Sequence, residues 1–265
     1  MTHAQTMTPR WALILGASSG FGEACAKALA QAGYDIAGVH LDRKAGLAHV
    51  EEVAGVIAGT GRRARFFNVN AADEAKRQEV LDELRRDVDA NGGTVAVLMH
   101  SLAFGTLRPY VDEKPLTQKQ LEMTLDVMAN SLVYWSQDVV SRKLMATGGR
   151  IFSMTSSGST RVIPSYGAVS AAKCALESHT RQLAYELAPH AITVNALRGG
   201  VTRTPAAEKI PGSDRLFTEA AKRNPYRRLT TPADVANAVV ALCHPGTDWI
   251  TGNVINVDGG EETSA

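Results

Sequence analysis

Gly16-Ala17-Ser18-Ser19-Gly20-Phe21-Gly22 is the stretch on which the fold turns. It follows directly on an apolar run at 11–15 and opens into an amphipathic stretch at 22–32. A short, uninterrupted apolar run reads as a strand buried on both faces, and a 3.6-residue period reads as a helix. The glycines therefore sit at a strand–turn–helix junction. Lacking Cβ, glycine lets backbone N–H groups come close to an anion, and the helix N-terminus adds partial positive charge. The turn is expected to cradle a pyrophosphate, although its spacing G-x-x-x-G-x-G departs from the G-x-G-x-x-G dinucleotide fingerprint.

Working outward, the same alternation continues. Apolar runs at 35–41, 65–69, 95–99, 150–154, 191–197 and 254–257 predict six further strands. Amphipathic stretches at 47–59, 73–90, 117–145, 166–188 and 232–243 predict helices between them. Strands alternating with helices argue for an α/β, doubly wound Rossmann-type domain with about seven parallel strands and helices on both faces. Punctuation agrees: Thr117 and Gln120 have capping-box spacing, Thr231-Pro232 puts an N-cap before a first-turn proline, and Gly33 suits a left-handed helix end. No repeat or linker divides the chain, so residues 1–265 read as one domain, with 1–9 as a flexible polar tail. The stretch 202–226 breaks the alternation. It is polar, carries Pro205, Pro211 and Pro225, and is long enough to be read as an irregular lid over a substrate site; the alternative is a mobile surface loop.

Composition narrows the function classes. Of the 265 residues, 45% are hydrophobic and 21% charged, enough apolar matter for a large core. With 28 basic against 27 acidic residues, nothing points to nucleic acid or an anionic membrane as the main partner. The basic run Arg62-Arg63-Ala64-Arg65 reads as a solvated strand entrance. Cys25, Cys174 and Cys243 lie far apart with no pair at metal-ligand spacing, so no metal site is expected and all three read as small core residues in a reducing compartment. There is no secretory h-region and no uninterrupted apolar stretch of bilayer length; a soluble, cytoplasmic protein is expected.

Candidate chemistry gathers in three places. After the second predicted strand come His40-Leu41-Asp42-Arg43-Lys44, where an acidic side chain accepts from an adenosine ribose and an arginine pairs with a 2′-phosphate. Arg43 and Lys44 favour NADPH, NADH staying open; Asp42 could equally be a solvated turn residue. Asn68 and Val69 end the third strand, where Asn68 could simply be a turn former. The third place holds Ser156, Tyr166 and Lys173. Six residues separate Tyr166 from Lys173, so on a helix seven steps of about 100° bring both to nearly one face, two turns apart. A phenol and an ammonium can then meet one ligand. The bland alternatives are a half-buried aromatic at a helix start and a lysine paired with Glu177 at i+4.

These residues together resemble the short-chain dehydrogenases/reductases from Trp11 to Gly260, and more narrowly their enoyl-acyl-carrier-protein reductases. The narrower likeness rests on the Tyr166–Lys173 spacing behind Ile163-Pro164-Ser165, on His100-Ser101-Leu102-Ala103-Phe104, and on Asn195-Ala196-Leu197-Arg198-Gly199-Gly200. Ordinary family members place tyrosine four residues before lysine, where this chain has Val169. The resemblance implies that Gly16, Gly20 and Phe21, with Ser18 and Ser19, lie under the pyrophosphate. It implies that Val69 and Asn68 border the adenine, and that Ser101, Leu102 and Ala103 line the riboses. Gly200, Thr202 and Thr204 fall to the nicotinamide carboxamide or phosphates, and Lys173 to the ribose. Tyr166 is implied to be the group that stabilises an enolate, and the assembly a homotetramer.

The implied activity is reduction of a trans-2-enoyl thioester, carried on acyl-carrier protein or coenzyme A, in fatty acid biosynthesis. A tyrosine set back by a helical turn suits it, because hydride goes to the β-carbon while charge develops on a carbonyl oxygen two carbons away. Two departures keep other readings open. Many enoyl reductases carry a second tyrosine where this chain has Ser156, and serine there is what alcohol-forming relatives use; a smaller NADPH-dependent branch resembles the present arrangement. The asparagine that ordinary dehydrogenases carry in the fourth helix is replaced by Met128, with Asn130 two residues away. A ketoreductase or alcohol dehydrogenase using Ser156, Tyr166 and Lys173 is the alternative, and a non-catalytic dinucleotide sensor a minor one. Arg203, Lys209, Arg215, Lys222, Arg223, Arg227 and Arg228 are a candidate carrier-protein surface, or ordinary solvated charge.

Overall fold

The computed structural model describes residues 8–264, so most of the expected 1–9 tail lies outside the described residues. Seven parallel strands form one sheet in the order β3-β2-β1-β4-β5-β6-β7. They are β1 (Arg10–Leu15), β2 (Asp35–His40), β3 (Ala64–Asn68), β4 (Thr94–His100), β5 (Met145–Thr155), β6 (Thr193–Gly199) and β7 (Val254–Val257). The strand order reverses between β1 and β4. There the connections leave toward opposite sides and open a crevice at the carboxyl ends of the strands.

Alternation along β1 shows how both faces are filled. Trp11, Leu13 and Leu15 point into a core shared with Leu84, Leu132 and Leu176. Ala12 and Ile14 point the other way, into a core with Leu29, Val53 and Val239. The helices supplying these partners are α1 (Gly20–Gln31), α2 (Leu47–Ala58) and α8 (Pro232–Leu242) on one face, and α3 (Glu74–Asn91), α5 (Ser131–Ser141) and α6 (Gly167–Leu187) on the other. Burial of this kind, at roughly 25 cal/mol per Å² of apolar surface, is the main force holding the layers together.

Several boundaries differ from the sequence expectation for identifiable reasons. The single helix expected over 117–145 is α4 (Gln118–Leu125), a π-helical turn (Asp126–Asn130) and α5. It stops at Ser141 because Lys143 adopts φ 54° and turns Leu144 and Met145 into the core. The strand β5 therefore starts at Met145, with Val95 paired to Met145 and Val97 to Arg150; the intervening residues bulge, with Gly148 at φ 84°. The stretch 202–226 is not wholly irregular: it holds a 3-10 turn (Ala207–Lys209) and the helix α7 (Ser213–Arg223). Nor are the three cysteines alike. Cys25 is buried and its thiol is pushed up to about 12 by desolvation, whereas Cys174 is exposed and donates to Ser159 O at 3.1 Å. The capping boxes at Thr117 and Thr231 and the left-handed Gly33 are as expected.

Candidate active site

Two adjoining cavities, of about 430 and 420 Å³, lie along the carboxyl edge of the sheet. Phe21, Ser101, Leu102, Ala103 and Thr204 line both, so they form one groove.

One end is built on the β1–α1 turn. Gly16 has φ 87°, and a Cβ there would lie 2.3 Å from Ser101 O; a Cβ on Gly22 would lie 2.0 Å from Gly16 O. These two glycines let strand, turn and helix close on one another. Ser19 caps α1 without a side-chain hydrogen bond, leaving the first-turn amides uncapped at the positive end of the helix. Gly16, Ser18, Ser19, Gly20 and Phe21 line this cavity, and Val69 closes it from the end of β3. The groove suits an extended anionic ligand: the uncapped first-turn amides of α1 lie beside the cavity lined by Gly16, Ser18, Ser19 and Gly20, and that cavity continues into the second one. Substituting Gly16→Ala is expected to cost roughly 2–4 kcal/mol, from a left-handed alanine and an overpacked junction, and to abolish dinucleotide binding. Thermal melting and fluorescence titration would read both; a stable variant that still binds would contradict the close packing.

At the end expected to take adenosine, two of the expected residues stand outside the cavity lining. Arg43 is exposed and does not line the cavity, whereas Asp42 does. The Asp42 carboxylate is held by buried His40, Nδ1 to Oδ2 at 2.9 Å. Asn68 does not line the cavity either. Its side chain donates to Asp42 O and accepts from Asp42 N at 2.9 and 3.0 Å, so it fixes the backbone of Asp42. His49, unforeseen from the sequence, lines the same cavity and bonds Glu23 at 3.0 Å; that carboxylate holds the imidazole above its ordinary range.

The other end gathers Ser156, Tyr166 and Lys173 around the second cavity, with Gly200, Thr202 and Thr204 on its wall. Tyr166 is not inside α6, as a helix over 166–188 requires, but is its N-cap at φ −95°. Ser165 before it adopts φ 63°, a left-handed strain that aims the ring. The ring packs over Gly158, where a Cβ would come within 2.4 Å of it. Tyr166 Oη and Ser156 Oγ are 3.5 Å apart. Desolvation holds the phenol above its ordinary pKa, opposed by the serine, so the proton stays on at neutral pH. Lys173 is buried and donates to Met154 O at 2.7 Å and Leu102 O at 3.4 Å. Desolvation lowers its pKa to about 8, with Glu177 opposing. Tyr166 and Lys173 line one cavity, as their spacing predicts, and the lysine donates to backbone carbonyls rather than to the phenol.

Met128 lines the 430 Å³ cavity from the π-helical turn, and Asn130 is turned away, its Oδ1 3.2 Å from His179 Nε2. His100, expected only as part of a family-like segment, is fully buried with Nε2 2.9 Å from Ser131 Oγ, and Ser131 donates to Val127 O at 2.8 Å. Burial, with Lys173 nearby, pushes the imidazole down to about 3, so it is neutral and bolts β4 to the π turn. Nothing in the spacing of the sequence announced that contact, because it depends on the irregular turn.

Comparison with known proteins shows the family of this fold. The family model described as enoyl-(acyl carrier protein) reductase matches residues 16–262. An enoyl-(acyl-carrier-protein) reductase (NADH) of Aquifex aeolicus is 30% identical over 183 residues, covering 69% of this chain and 67% of its own. A 1-cyclohexenylcarbonyl-CoA reductase of Streptomyces collinus is 31% identical over 250 residues, covering 94% and 85%. Among solved structures, the Aquifex aeolicus enoyl reductase superposes with a TM-score of 0.81 at 26% identity over 97% of each chain. A promiscuous reductase, LugOII, that catalyses keto-reduction superposes with a TM-score of 0.83 at 28% identity, over 96% of this chain and 98% of its own. No described helix is long and apolar enough to cross a membrane. A doubly wound sheet of seven parallel strands, and a family model matched over residues 16–262, make this a nicotinamide-dependent oxidoreductase that belongs to the enoyl-(acyl carrier protein) reductase family of the short-chain dehydrogenases/reductases.

Proposed function

We propose that the protein reduces the 2,3-double bond of an enoyl thioester. The observation that carries this reading is the placement of Tyr166, one helical turn further from Lys173 than the ordinary spacing and held neutral at the wall of a cavity whose floor includes Met128, Leu107 and Val169. A reduced nicotinamide bound in the groove supplies hydride. Tyr166 donates a hydrogen bond to the thioester oxygen, where negative charge develops, and Ser156 steadies the phenol. Lys173, cationic below about pH 8, gives the ribose end of the groove a positive charge and hydrogen-bond donors. Apolar walls exclude water, which strengthens each of these interactions.

The same reading extends to cofactor and partners. Asp42, rather than Arg43, borders the adenosine cavity, which favours NADH: a carboxylate accepts from a ribose 2′-hydroxyl and repels a 2′-phosphate. Asp42→Asn is expected to shift the NADH-to-NADPH ratio of kcat/KM about tenfold toward NADPH; an unchanged ratio would return the choice to Arg43 and Lys44. Coenzyme A thioesters are included beside carrier-protein thioesters because the Streptomyces collinus relative acts on a CoA thioester and matches 94% of this chain. A homotetramer belongs to the same proposal; the outer face of α6 carries Tyr185, 81% exposed.

Ketone reduction is the second reading. It is favoured by Ser156 within hydrogen-bonding reach of Tyr166 and by the likeness to LugOII. Following dinucleotide oxidation with trans-2-butenoyl-CoA and acetoacetyl-CoA side by side separates the two. Turnover of the enoyl thioester at least tenfold faster supports the first reading, and turnover of the ketoacyl thioester alone supports the second.

A further inference from the structure

Behind the substrate cavity, a tight turn follows β7. Asp258 is buried and accepts from Gly260 N and Glu262 N, both at 2.9 Å; Gly259 and Gly260 take φ 62° and 82°. This rigid turn points two adjacent carboxylates in different directions. Glu261, 4% exposed, accepts from Val201 N through Oε2 at 3.0 Å and from Arg223 through Oε1 at 2.7 Å. Glu262 accepts from Arg161 Nε at 3.3 Å, and its carbonyl accepts from the same guanidinium at 3.3 Å. Arg161, Val201 and Arg223 all line the substrate cavity. They come from three separate segments: the loop that carries Ser156 and Tyr166, the strap after β6, and the last turn of α7.

The first half of α7 is tied to the strap by Arg203, whose guanidinium lies 4.4 Å from the Phe217 ring and 3.8 Å from the exposed Asp214 carboxylate, and its last turn depends on Glu261. Among its eleven residues only Phe217 and Ala220 are buried. The residue after it, Asn224, is buried and donates to Asp258 O at 2.8 Å, so the helix end is tied to the same turn. A buried carboxylate needs a partner, because removing the cation leaves an uncompensated charge in an apolar setting. Glu261 and Arg223 therefore hold each other in place, and the carboxylate oxygen that Arg223 does not use holds the strap.

We infer that Glu261 is a positioning residue that locks α7 and the strap 200–204 into one wall of the substrate cavity, with Glu262 fixing Arg161 on the facing wall. This rests on reading the 430 Å³ cavity as the substrate site. The two oxygens of Glu261 have separable tasks. Glu261→Gln keeps an acceptor for Val201 N and loses the charge for Arg223; Glu261→Ala loses both.

The test uses the full chain and four variants: Glu261→Gln, Arg223→Met, the double variant and Glu261→Ala. Limited thermolysin cleavage within 203–224, KM and kcat for whichever of trans-2-butenoyl-CoA and acetoacetyl-CoA turns over, and NADH affinity by fluorescence are measured. Glu261→Gln and Arg223→Met are each expected to speed cleavage and raise KM about tenfold, with kcat within about threefold and NADH affinity unchanged. The double variant is expected to be no worse than either single one, since both remove one interaction. Glu261→Ala is expected also to weaken NADH about tenfold. Unchanged cleavage in Arg223→Met, multiplicative effects in the double variant, or equal loss of NADH affinity in Glu261→Gln and Glu261→Ala would each overturn the assignment. Cleavage and NADH binding need no substrate, so they decide this point even if the enoyl reading fails.

Discussion

Tyr166→Phe is expected to lower turnover by about 10²- to 10³-fold while leaving NADH affinity and thermal stability within about twofold and 2 °C of the parent. The change removes one hydroxyl and nothing else. The ring still packs over Gly158, and Ser156 loses a partner 3.5 Å away at the edge of an open cavity rather than in a dry core. Because the phenol is held protonated by desolvation, it acts as a donor, and the hydrogen bond it gives strengthens as negative charge develops on the substrate oxygen. KM should therefore change little. A variant that turns over within tenfold of the parent would show that Ser156 or a backbone donor carries the charge instead.

Lys173→Met is expected to remove activity by about 10²-fold or more and yet to leave the protein at least as stable at pH 7. The sign follows from protonation. In the folded chain the ammonium loses its proton near 8, against 10.5 in an unfolded one. Between those values the unfolded state holds more protons, so stability rises with pH across that window, and at pH 7 the full desolvation cost is present, up to roughly 3 kcal/mol. Methionine relieves that cost but leaves Met154 O and Leu102 O without their donor, at about 1–3 kcal/mol, so the two nearly cancel. Parent activity should also decline as pH rises through about 8, where Lys173 becomes neutral. Melting curves at pH 7 and a pH–rate profile check both. A melting point lowered by many degrees would mean that the lysine is a structural clamp rather than a functional cation held at a cost.

The fold was legible because it rests on local signals that agree with one another: seven apolar runs, each the length of a buried strand, and a glycine turn whose steric reason is visible at Gly16 and Gly22. The grouping of Ser156, Tyr166 and Lys173 around one cavity was legible for a similar reason, since the three lie between the end of β5 and the first two turns of α6. What stayed hidden depends on contacts distant in sequence or on irregular backbone. The π-helical turn that splits the long predicted helix is stabilised by His100 and Ser131, 31 positions apart. Asp42 and Arg43 are neighbours in sequence, and only the fold decides that the first faces the groove. The bond from Asn68 across to Asp42 has the same character. The helix α7 was missed because its sequence is polar and buries only two side chains, so the prolines around it outweighed its periodicity.

The most direct test of enoyl reduction follows the hydride itself. The protein would be supplied with dinucleotide deuterated at the transferable C4 position and an equimolar mixture of trans-2-butenoyl-CoA and acetoacetyl-CoA, and the products analysed by NMR and mass spectrometry. Deuterium is expected at C3 of a saturated butanoyl thioester, with the C2 hydrogen drawn from solvent. Deuterium found only on the hydroxyl-bearing C3 of 3-hydroxybutanoyl-CoA, with the enoyl thioester recovered unlabelled, would contradict enoyl reduction and identify the protein as a ketoreductase.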